Sequence, residues 1–306
     1  MLRHIAGRIG QAVVTTFGVL TLVFFLMRLS GDPTLLLVPQ GSSAQQIAVL
    51  RHQLGFDRPL IVQYVAYLQQ LLQGNLGISL VQRMPVASIL GGRIPYTMEL
   101  AAGSILVALG IGIPTGLVMA VWRGSLLERA LAAVVFAGQS MPTFWSGILM
   151  ILFFGVILGW LPTSGVAGLP SLIMPSIALG ALSMASFARM TRIAVLDELS
   201  RDYVAAARAR GLSLGATVAR HVARNAAIPV VTVTALEIGN LLAGAVIVET
   251  VFAWPGIGQL AIQAIASRDF LVVQAIVLFV SFVFILMNLL ADIVYAVIDP
   301  RIRFGH

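Results

Sequence analysis

The stretch Asp202-Tyr-Val-Ala-Ala-Ala-Arg-Ala-Arg-Gly211-Leu-Ser213 lies at the centre of a polar interruption, residues 189–229, between two apolar segments. Each of those segments is long enough to cross a bilayer. Within the interruption, Ser200 is the predicted N-cap of a first short helix. Gly211 is predicted to stop that helix in the left-handed conformation, and Ser213 to cap a second helix. The interruption also holds seven of the nineteen arginines: Arg189, Arg192, Arg201, Arg208, Arg210, Arg220 and Arg224.

The second predicted helix is amphipathic. Leu214, Val218 and Val222 share one face by helical spacing, whereas Arg220 and Arg224 share another. Two short amphipathic helices between membrane spans indicate a surface that docks a partner outside the bilayer. The alternative is a solvated loop whose arginines only fix the topology, because cytoplasmic loops are commonly positive.

Composition indicates an all-α, polytopic membrane protein. Hydrophobic residues make up 59% of the 306 positions and charged residues only 10%, whereas soluble domains carry about 25% charged residues. The net charge of +7 comes from arginine alone, and these arginines are spread between spans, which argues against nucleic-acid binding. With no cysteine, the chain has neither a disulfide framework nor a thiolate nucleophile.

Six transmembrane helices are predicted, at residues 9–27, 100–122, 130–158, 169–188, 226–248 and 272–291. The third is predicted to bend where Gln139-Ser-Met-Pro142 interrupts it. Residues 29–99 lack a span-length apolar run but contain a helical pattern from Leu60 to Gln73. We therefore expect residues 1–28 to form the first span, residues 29–99 an extracytoplasmic insertion, and residues 100–306 a core with a coupling loop at 189–229.

Arginine placement predicts the orientation. With both termini in the cytoplasm, thirteen arginines lie on the cytoplasmic side and six on the other. Most of the six belong to the long insertion, which counts little toward topology. The chain is thus predicted to cross the plasma membrane several times with cytoplasmic ends.

The sequence offers little catalytic chemistry. All four histidines lie outside the predicted spans, so a membrane-embedded protease or histidine metal site lacks its key residues. With no lysine there is no phosphate-binding P-loop. Glu237 lies within the fifth span and shares a face with Asn240. Glu237 is interpreted either as part of a substrate pathway or as an interhelical hydrogen-bonding contact.

Ten motifs, in order along nearly the whole chain, carry a family resemblance. They are Arg28-Leu-Ser-Gly-Asp-Pro33, Leu54-Gly-Phe-Asp-Arg-Pro-Leu60, Gly74-Asn-Leu-Gly-Ile-Ser79, Arg93-Ile-Pro-Tyr-Thr-Met-Glu99, Ser140-Met-Pro-Thr-Phe-Trp145, Ala188-Arg-Met-Thr-Arg192, Asp202-Tyr-Val-Ala-Ala-Ala-Arg-Ala-Arg-Gly211, Arg220-His-Val-Ala-Arg-Asn225, Glu249-Thr-Val-Phe-Ala-Trp-Pro-Gly256 and Asp299-Pro-Arg-Ile-Arg303. The chain resembles an ABC-importer permease subunit of the dipeptide/oligopeptide/nickel subclass, most like its B-type subunit.

The resemblance implies a non-catalytic transport subunit that forms half of a pore. Its implied partners are a second homologous permease, two cytoplasmic ATPases that bind ATP and magnesium, an extracytoplasmic substrate-binding protein and the lipid bilayer. Ala205 stands where the broader family often has Glu in the loop that docks on the ATPase. The expected ATPase-coupling residues are Tyr203, Ala205, Ala206, Ala207, Arg208, Arg210, Gly211, Arg220, His221, Arg224 and Asn225. The expected substrate pathway comprises Glu237, Asn240, Ser140 and Pro142.

The leading functional hypothesis is import of di- or oligopeptides driven by ATP hydrolysis in partner subunits. Alternatives within the subclass are a nickel-chelate importer and a glutathione importer. A proton-coupled carrier with Glu237 as proton site is a further alternative. Such carriers usually show an inverted repeat and several intramembrane acids or histidines, and the sequence shows neither clearly.

Overall fold

The computed structural model describes the backbone of residues 2–29, 34, 38 and 43–298. Some side chains within its helices lie outside the description, namely those of residues 2–6, 8, 9, 12, 232, 235, 236, 238, 240, 242–244 and 288–298. Residues 30–33 of the first family motif and the tail motif at residues 299–303 also lie outside the described residues.

In the described residues the regular elements are twelve α-helices and two π-helical segments, apart from one isolated bridge between Ile78 and Pro85. We number the helices α1 (Leu2–Leu29), α2 (Ala44–Gln53), α3 (Leu60–Leu72), α4 (Val86–Val121), α5 (Leu126–Ser140), α6 (Thr143–Met150), α7 (Pro170–Leu199), α8 (Asp202–Ala209), α9 (Leu214–Thr217), α10 (Ala223–Val251), α11 (Ile257–Ala266) and α12 (Phe270–Ile298). Two π-helical segments continue α6 (Ile151–Ile157) and link α9 to α10 (Val218–Val222). The all-α fold is confirmed.

Three described helices are long and apolar enough to cross a membrane: α4, α7 and the part of α12 from Phe270 to Met287. Helix α5 and the continued α6 together have the same character and are bent by 104°. These elements match the predicted second, fourth, sixth and third spans. The predicted first and fifth spans fall in α1 and α10, where some side chains lie outside the description.

The sharp bend between α5 and α6 lies at Met141–Pro142, inside the predicted interruption. Met141 is extended, with ψ of 132°, and Pro142 opens α6 with ψ of 133°. Proline disfavours the α conformation in the residue before it and has no N–H to continue the helix. The predicted interruption is therefore confirmed.

The chain divides into two compact units, and residues 1–95 with 256–285 make up the first. Its core combines the start of α4 with α11 and α12, through Val86, Leu260 and Val272 among others. Helix α3 packs on α1 through aromatic rings: fully buried Phe24 lies 5.1 Å from the Tyr64 ring and 5.7 Å from the Tyr67 ring. The predicted helix from Leu60 is confirmed and ends at Leu72.

Residues 96–255 with 286–306 form the second unit, and α7 lies at its centre. The most apolar 18-residue window of α7 is 61% buried, against 33% for α4. Glycines let the two helices approach closely: a side chain built at Gly116 would collide with the Ala188 carbonyl oxygen, and one at Gly112 with the Met184 carbonyl oxygen. Small residues at these two positions therefore allow close packing of the two helices.

The loop after α10 closes over a buried carboxylate in the same unit. Glu249 is completely buried, and its Oε1 accepts a hydrogen bond of 2.7 Å from Thr97 Oγ1. Trp254, also completely buried, donates from Nε1 to the Tyr96 carbonyl oxygen at 2.8 Å. A buried polar group without a partner costs free energy, so these bonds explain how a tryptophan and a glutamate can occupy this core.

Candidate functional site

The polar interruption is shorter in the structure than in the sequence prediction. Helix α7 continues ten residues past Arg189, to Leu199, and after the short helix α8 the chain becomes helical again at Leu214. Buried Ala194 and Val195 show why α7 continues: one face still packs on an apolar core after the sequence has become polar. We call residues 200–213, which hold α8 and its two flanking turns, the connecting segment.

Helix α8 begins differently from the prediction. Ser200 is not its N-cap; Ser200 Oγ donates back to the Asp197 carbonyl oxygen at 2.7 Å and ends α7. Arg201 takes the N-cap position with an extended backbone and no side-chain cap bond. Asp202 then occupies the first turn, where its charge complements the positive end of the helix dipole.

The two faces of α8 differ in exposure. Val204 and Ala207 are buried, and Val204 packs in a core that includes Val218 and Val222. Ala205, Ala206 and Arg208 are exposed. Ala207, predicted as a coupling residue, is only 2% exposed and faces the interior, while neighbouring Ala205 and Ala206 expose small side chains.

The end of α8 matches the prediction. Gly211 has φ of +87°, and its N–H donates to the Arg208 carbonyl oxygen at 2.9 Å. Arg210 Nε donates to the Ala206 carbonyl oxygen at 3.2 Å, which satisfies one of the last helical carbonyl groups. Ser213 then caps α9 by accepting a bond of 3.3 Å from the Ala216 N–H.

The cations of this region are exposed. Five basic side chains reach solvent, namely those of Arg208, Arg210, Arg220, His221 and Arg224. Within the described part of the chain, no ion pair is formed by these five side chains. Guanidinium groups in this condition can bind carboxylates of a partner in bidentate geometry.

Two other predicted coupling residues, Tyr203 and Asn225, hydrogen-bond to one carboxylate of the same chain. Tyr203 Oη donates to Glu198 Oε2 at 2.6 Å, and Asn225 Nδ2 donates to the same oxygen at 3.2 Å. Burial, followed by the bond to Glu198, raises the pKa of the Tyr203 phenol above its ordinary value. Glu198 was missed by sequence reasoning because its partner Asn225 lies 27 residues away.

An ion pair ties α7 to the first turn of α5. Arg192 Nε donates to Glu128 Oε1 at 2.8 Å, and the Arg192 side chain is 30% exposed. Ser125 caps α5 by accepting from the Glu128 N–H at 3.2 Å, which fixes the backbone beneath the carboxylate. Arg192 is thus engaged within the chain, unlike the exposed arginines further on.

The predicted pathway residues are not all brought together. Glu237 Oε2 accepts a hydrogen bond of 2.7 Å from Ser183 Oγ on α7, as expected for an interhelical contact. The Asn240 side chain lies outside the described residues. Ser140 Oγ donates to the Phe136 carbonyl oxygen on its own helix, and Pro142 opens α6. Glu237 as a whole residue is half-buried.

Among the described residues, no group of three or more histidine, aspartate or glutamate side chains could hold a metal ion.

Two family models together match almost the whole chain. Residues 112–304 match the family described as "Binding-protein-dependent transport system inner membrane component", and residues 1–101 match its N-terminal companion family. Relatives are similar along their full length. The glutathione transport system permease protein GsiC of Escherichia coli K12 is 42% identical over 305 residues, covering 99% of this chain and 100% of the relative.

A second relative has a different stated cargo. The di/tripeptide transport system permease protein DppB of Pseudomonas aeruginosa UCBPP-PA14 is 42% identical, with 99% of both chains covered. Among solved structures, the inward-facing MetNI methionine ABC transporter matches 70% of this chain and 97% of its own, with a TM-score of 0.60 and 21% identity. That likeness concerns the fold.

Proposed function

This chain belongs to the family of inner membrane components of binding-protein-dependent transport systems, and we propose that it forms half of the pore of an ATP-driven importer of short peptides. The family makes it a multi-pass inner membrane protein and a transport subunit, not a catalytic one. The family also implies ATPase and substrate-binding partners.

The peptide assignment rests on sequence identity to two relatives whose cargoes are related. The chain is 42% identical over its length both to a glutathione permease and to a di/tripeptide permease. Glutathione is itself a tripeptide, so the shared cargo chemistry is a short peptide with charged amino and carboxylate groups. The proposed cargo class is therefore peptides of two or three residues.

The proposed assembly has four membrane-associated parts. A second, homologous permease completes the pore, and two cytoplasmic ATPase subunits bind ATP and magnesium. Both termini of this chain then lie in the cytoplasm, as the thirteen-to-six distribution of arginines supports. ATP-driven closure of the ATPase subunits biases the pore between inward-facing and outward-facing states.

The connecting segment is the proposed ATPase contact. Its exposed face, formed by Ala205, Ala206 and Arg208, can enter a groove because the alanines add little bulk. Arg210, Arg220 and Arg224 can pair with acidic side chains at the rim of that groove. Buried Ala207 and Val204 hold the helix from the other side.

Uptake assays test the cargo. A strain that lacks this subunit is supplied with labelled dipeptide, tripeptide, glutathione and a nickel chelate. We expect peptide uptake to disappear, and to return only when this chain is restored together with an ATPase subunit competent in hydrolysis. Loss of nickel uptake alone would overturn the peptide assignment. Peptide transport by the purified chain under a proton gradient would instead identify a secondary carrier.

A further inference from the structure

Three helices meet at one carboxylate beside the connecting segment. Glu198 lies in the last turn of α7, Tyr203 in the first turn of α8, and Asn225 in the first turn of α10. Glu198 Oε2 accepts from Tyr203 Oη at 2.6 Å and from Asn225 Nδ2 at 3.2 Å. Asn225 Nδ2 also lies 3.4 Å from Tyr203 Oη, which closes a triangle. We call these three residues the polar tie.

The environment of the polar tie favours these bonds. The Glu198 side chain is only 19% exposed, and its other oxygen lies 3.8 Å from Arg201 Nε. Hydrogen bonds to a carboxylate are shorter and stronger than those between neutral groups. Partial removal from water strengthens the part-buried bond from Tyr203 further, because the local dielectric constant is lower than in bulk water, whereas the bond from Asn225 is exposed.

Apolar packing alone does not fix the orientation of α8. Val204 packs on an apolar core and Ala207 is buried beside it, and apolar contacts are non-directional, so they permit small rotations and slides. Non-helical residues flank α8 on both sides, at Ser200–Arg201 and at Arg210–Ser213. Either flank could absorb a displacement of α8 without moving the long helices, whereas hydrogen bonds have preferred angles and resist rotation.

We propose that the polar tie makes α8 move as one body with the cytoplasmic ends of α7 and α10. This inference rests on the proposed docking of α8 on an ATPase subunit. A displacement of α8 is then transmitted to two membrane helices at once and not lost in the flanking turns. Glu198, Tyr203 and Asn225 are positioning residues inside the chain, and the exposed arginines make the contact with the partner.

The test uses the complete importer, reconstituted with its ATPase subunits and binding protein. Two quantities are measured: the amount of ATPase that co-purifies, and the number of solute molecules transported per ATP hydrolysed. Asn225→Asp places a second carboxylate where the amide lies 3.2 Å from Glu198, so the two repel. We expect normal ATPase co-purification and a transport ratio lowered about fivefold or more.

A double substitution supplies the rescue. In Glu198→Gln with Asn225→Asp, the donor and acceptor exchange places and the pair can form again. The transport ratio should recover to within about twofold of the unaltered protein. Asp197→Asn is the matched control, because it removes an exposed neighbouring carboxylate that lies outside the tie, and it should leave the ratio unchanged.

Three outcomes overturn the polar tie: an unchanged ratio in Asn225→Asp, no recovery in the double variant, or loss of ATPase co-purification in Asn225→Asp. The last would make Asn225 part of the docking contact. If Asn225→Asp fails to accumulate in the membrane, Tyr203→Phe tests the same idea by removing one bond without adding charge. Failure of the proposed docking would give a different result from failure of the polar tie, because the ATPase would then not bind even the unaltered chain through α8.

Discussion

Gly211 permits a substitution test of the connecting segment in which backbone geometry is the only variable. Its φ is +87°, a conformation that side-chain-bearing residues rarely adopt, and a Cβ added there meets no atom within 4 Å. Substitution with valine is therefore penalised through the backbone and not through a collision. The penalty for a β-branched residue in this region is about 2 kcal/mol.

That penalty can be converted into a binding change. If the ATPase binds α8 in the conformation seen here, Gly211→Val must restore that conformation at a cost of about 2 kcal/mol, which weakens binding about 30-fold. Gly211→Asn should bind within about threefold of the unaltered chain, since asparagine tolerates the left-handed region. Affinity is measured by titrating ATPase subunits onto the permease pair in lipid nanodiscs, and peptide uptake is measured in parallel.

Gly215 provides the matched control. It also has open space around its Cβ position, but its backbone is helical, with no positive φ. Gly215→Val should thus leave affinity and uptake near normal. Unchanged binding and uptake in Gly211→Val would refute the reasoning, because the left-handed stop would then be irrelevant to docking. Equal losses in both variants would assign the effect to side-chain bulk and not to the backbone.

Two further predictions concern the membrane helices. Gly116→Ala should destabilise the chain by about 1–3 kcal/mol, because its Cβ collides with the Ala188 carbonyl oxygen. Gly110→Ala, whose Cβ meets nothing within 4 Å, should not destabilise the chain. Thermal unfolding in detergent compares the two variants, and equal melting temperatures would contradict the close approach of α4 and α7. Glu237→Gln should lower uptake of cationic peptides relative to neutral ones if the carboxylate faces the pathway. Ser183→Ala removes the hydrogen bond to Glu237 and serves as the comparison variant. An unchanged cargo preference in Glu237→Gln would assign Glu237 to helix packing alone.

Local signals in the sequence located several features of the fold. Gly211 and Ser213 were identified as stop and cap, and Gln139–Pro142 as an interruption, because each residue type acts on its own backbone. The helix from Leu60 followed from its apolar spacing. These features depend on residues within a few positions of one another, which a single sequence displays.

Helix boundaries were predicted less well where polarity and structure diverge. The prediction ended the fourth span at residue 188, because Arg189 and Arg192 are charged. The helix continues to Leu199, since its other face still buries Ala194 and Val195. A membrane span and the helix that contains it need not end at the same residue. The longer α7 also explains why the N-cap of α8 is Arg201 and not Ser200, as the sequence predicted.

Long-range partners could not be found from spacing. Arg192 and Glu128 are 64 residues apart, and Ser183 and Glu237 are 54 apart. Helical periodicity shows which residues share a face of one helix, but it does not show which face of another helix lies opposite. The sequence therefore did not distinguish the exposed arginines among the predicted coupling residues from Tyr203 and Asn225, which hydrogen-bond to Glu198.

Photo-crosslinking from α8 tests most directly whether this helix contacts a separate ATPase subunit. A photoreactive amino acid is placed at exposed Ala205 in the assembled transporter in native membranes, with buried Ala207 as the matched control. We predict a crosslink from position 205 to an ATPase subunit, and crosslinks from position 207 only within this chain. Crosslinks from position 205 to lipid and water alone would contradict the account.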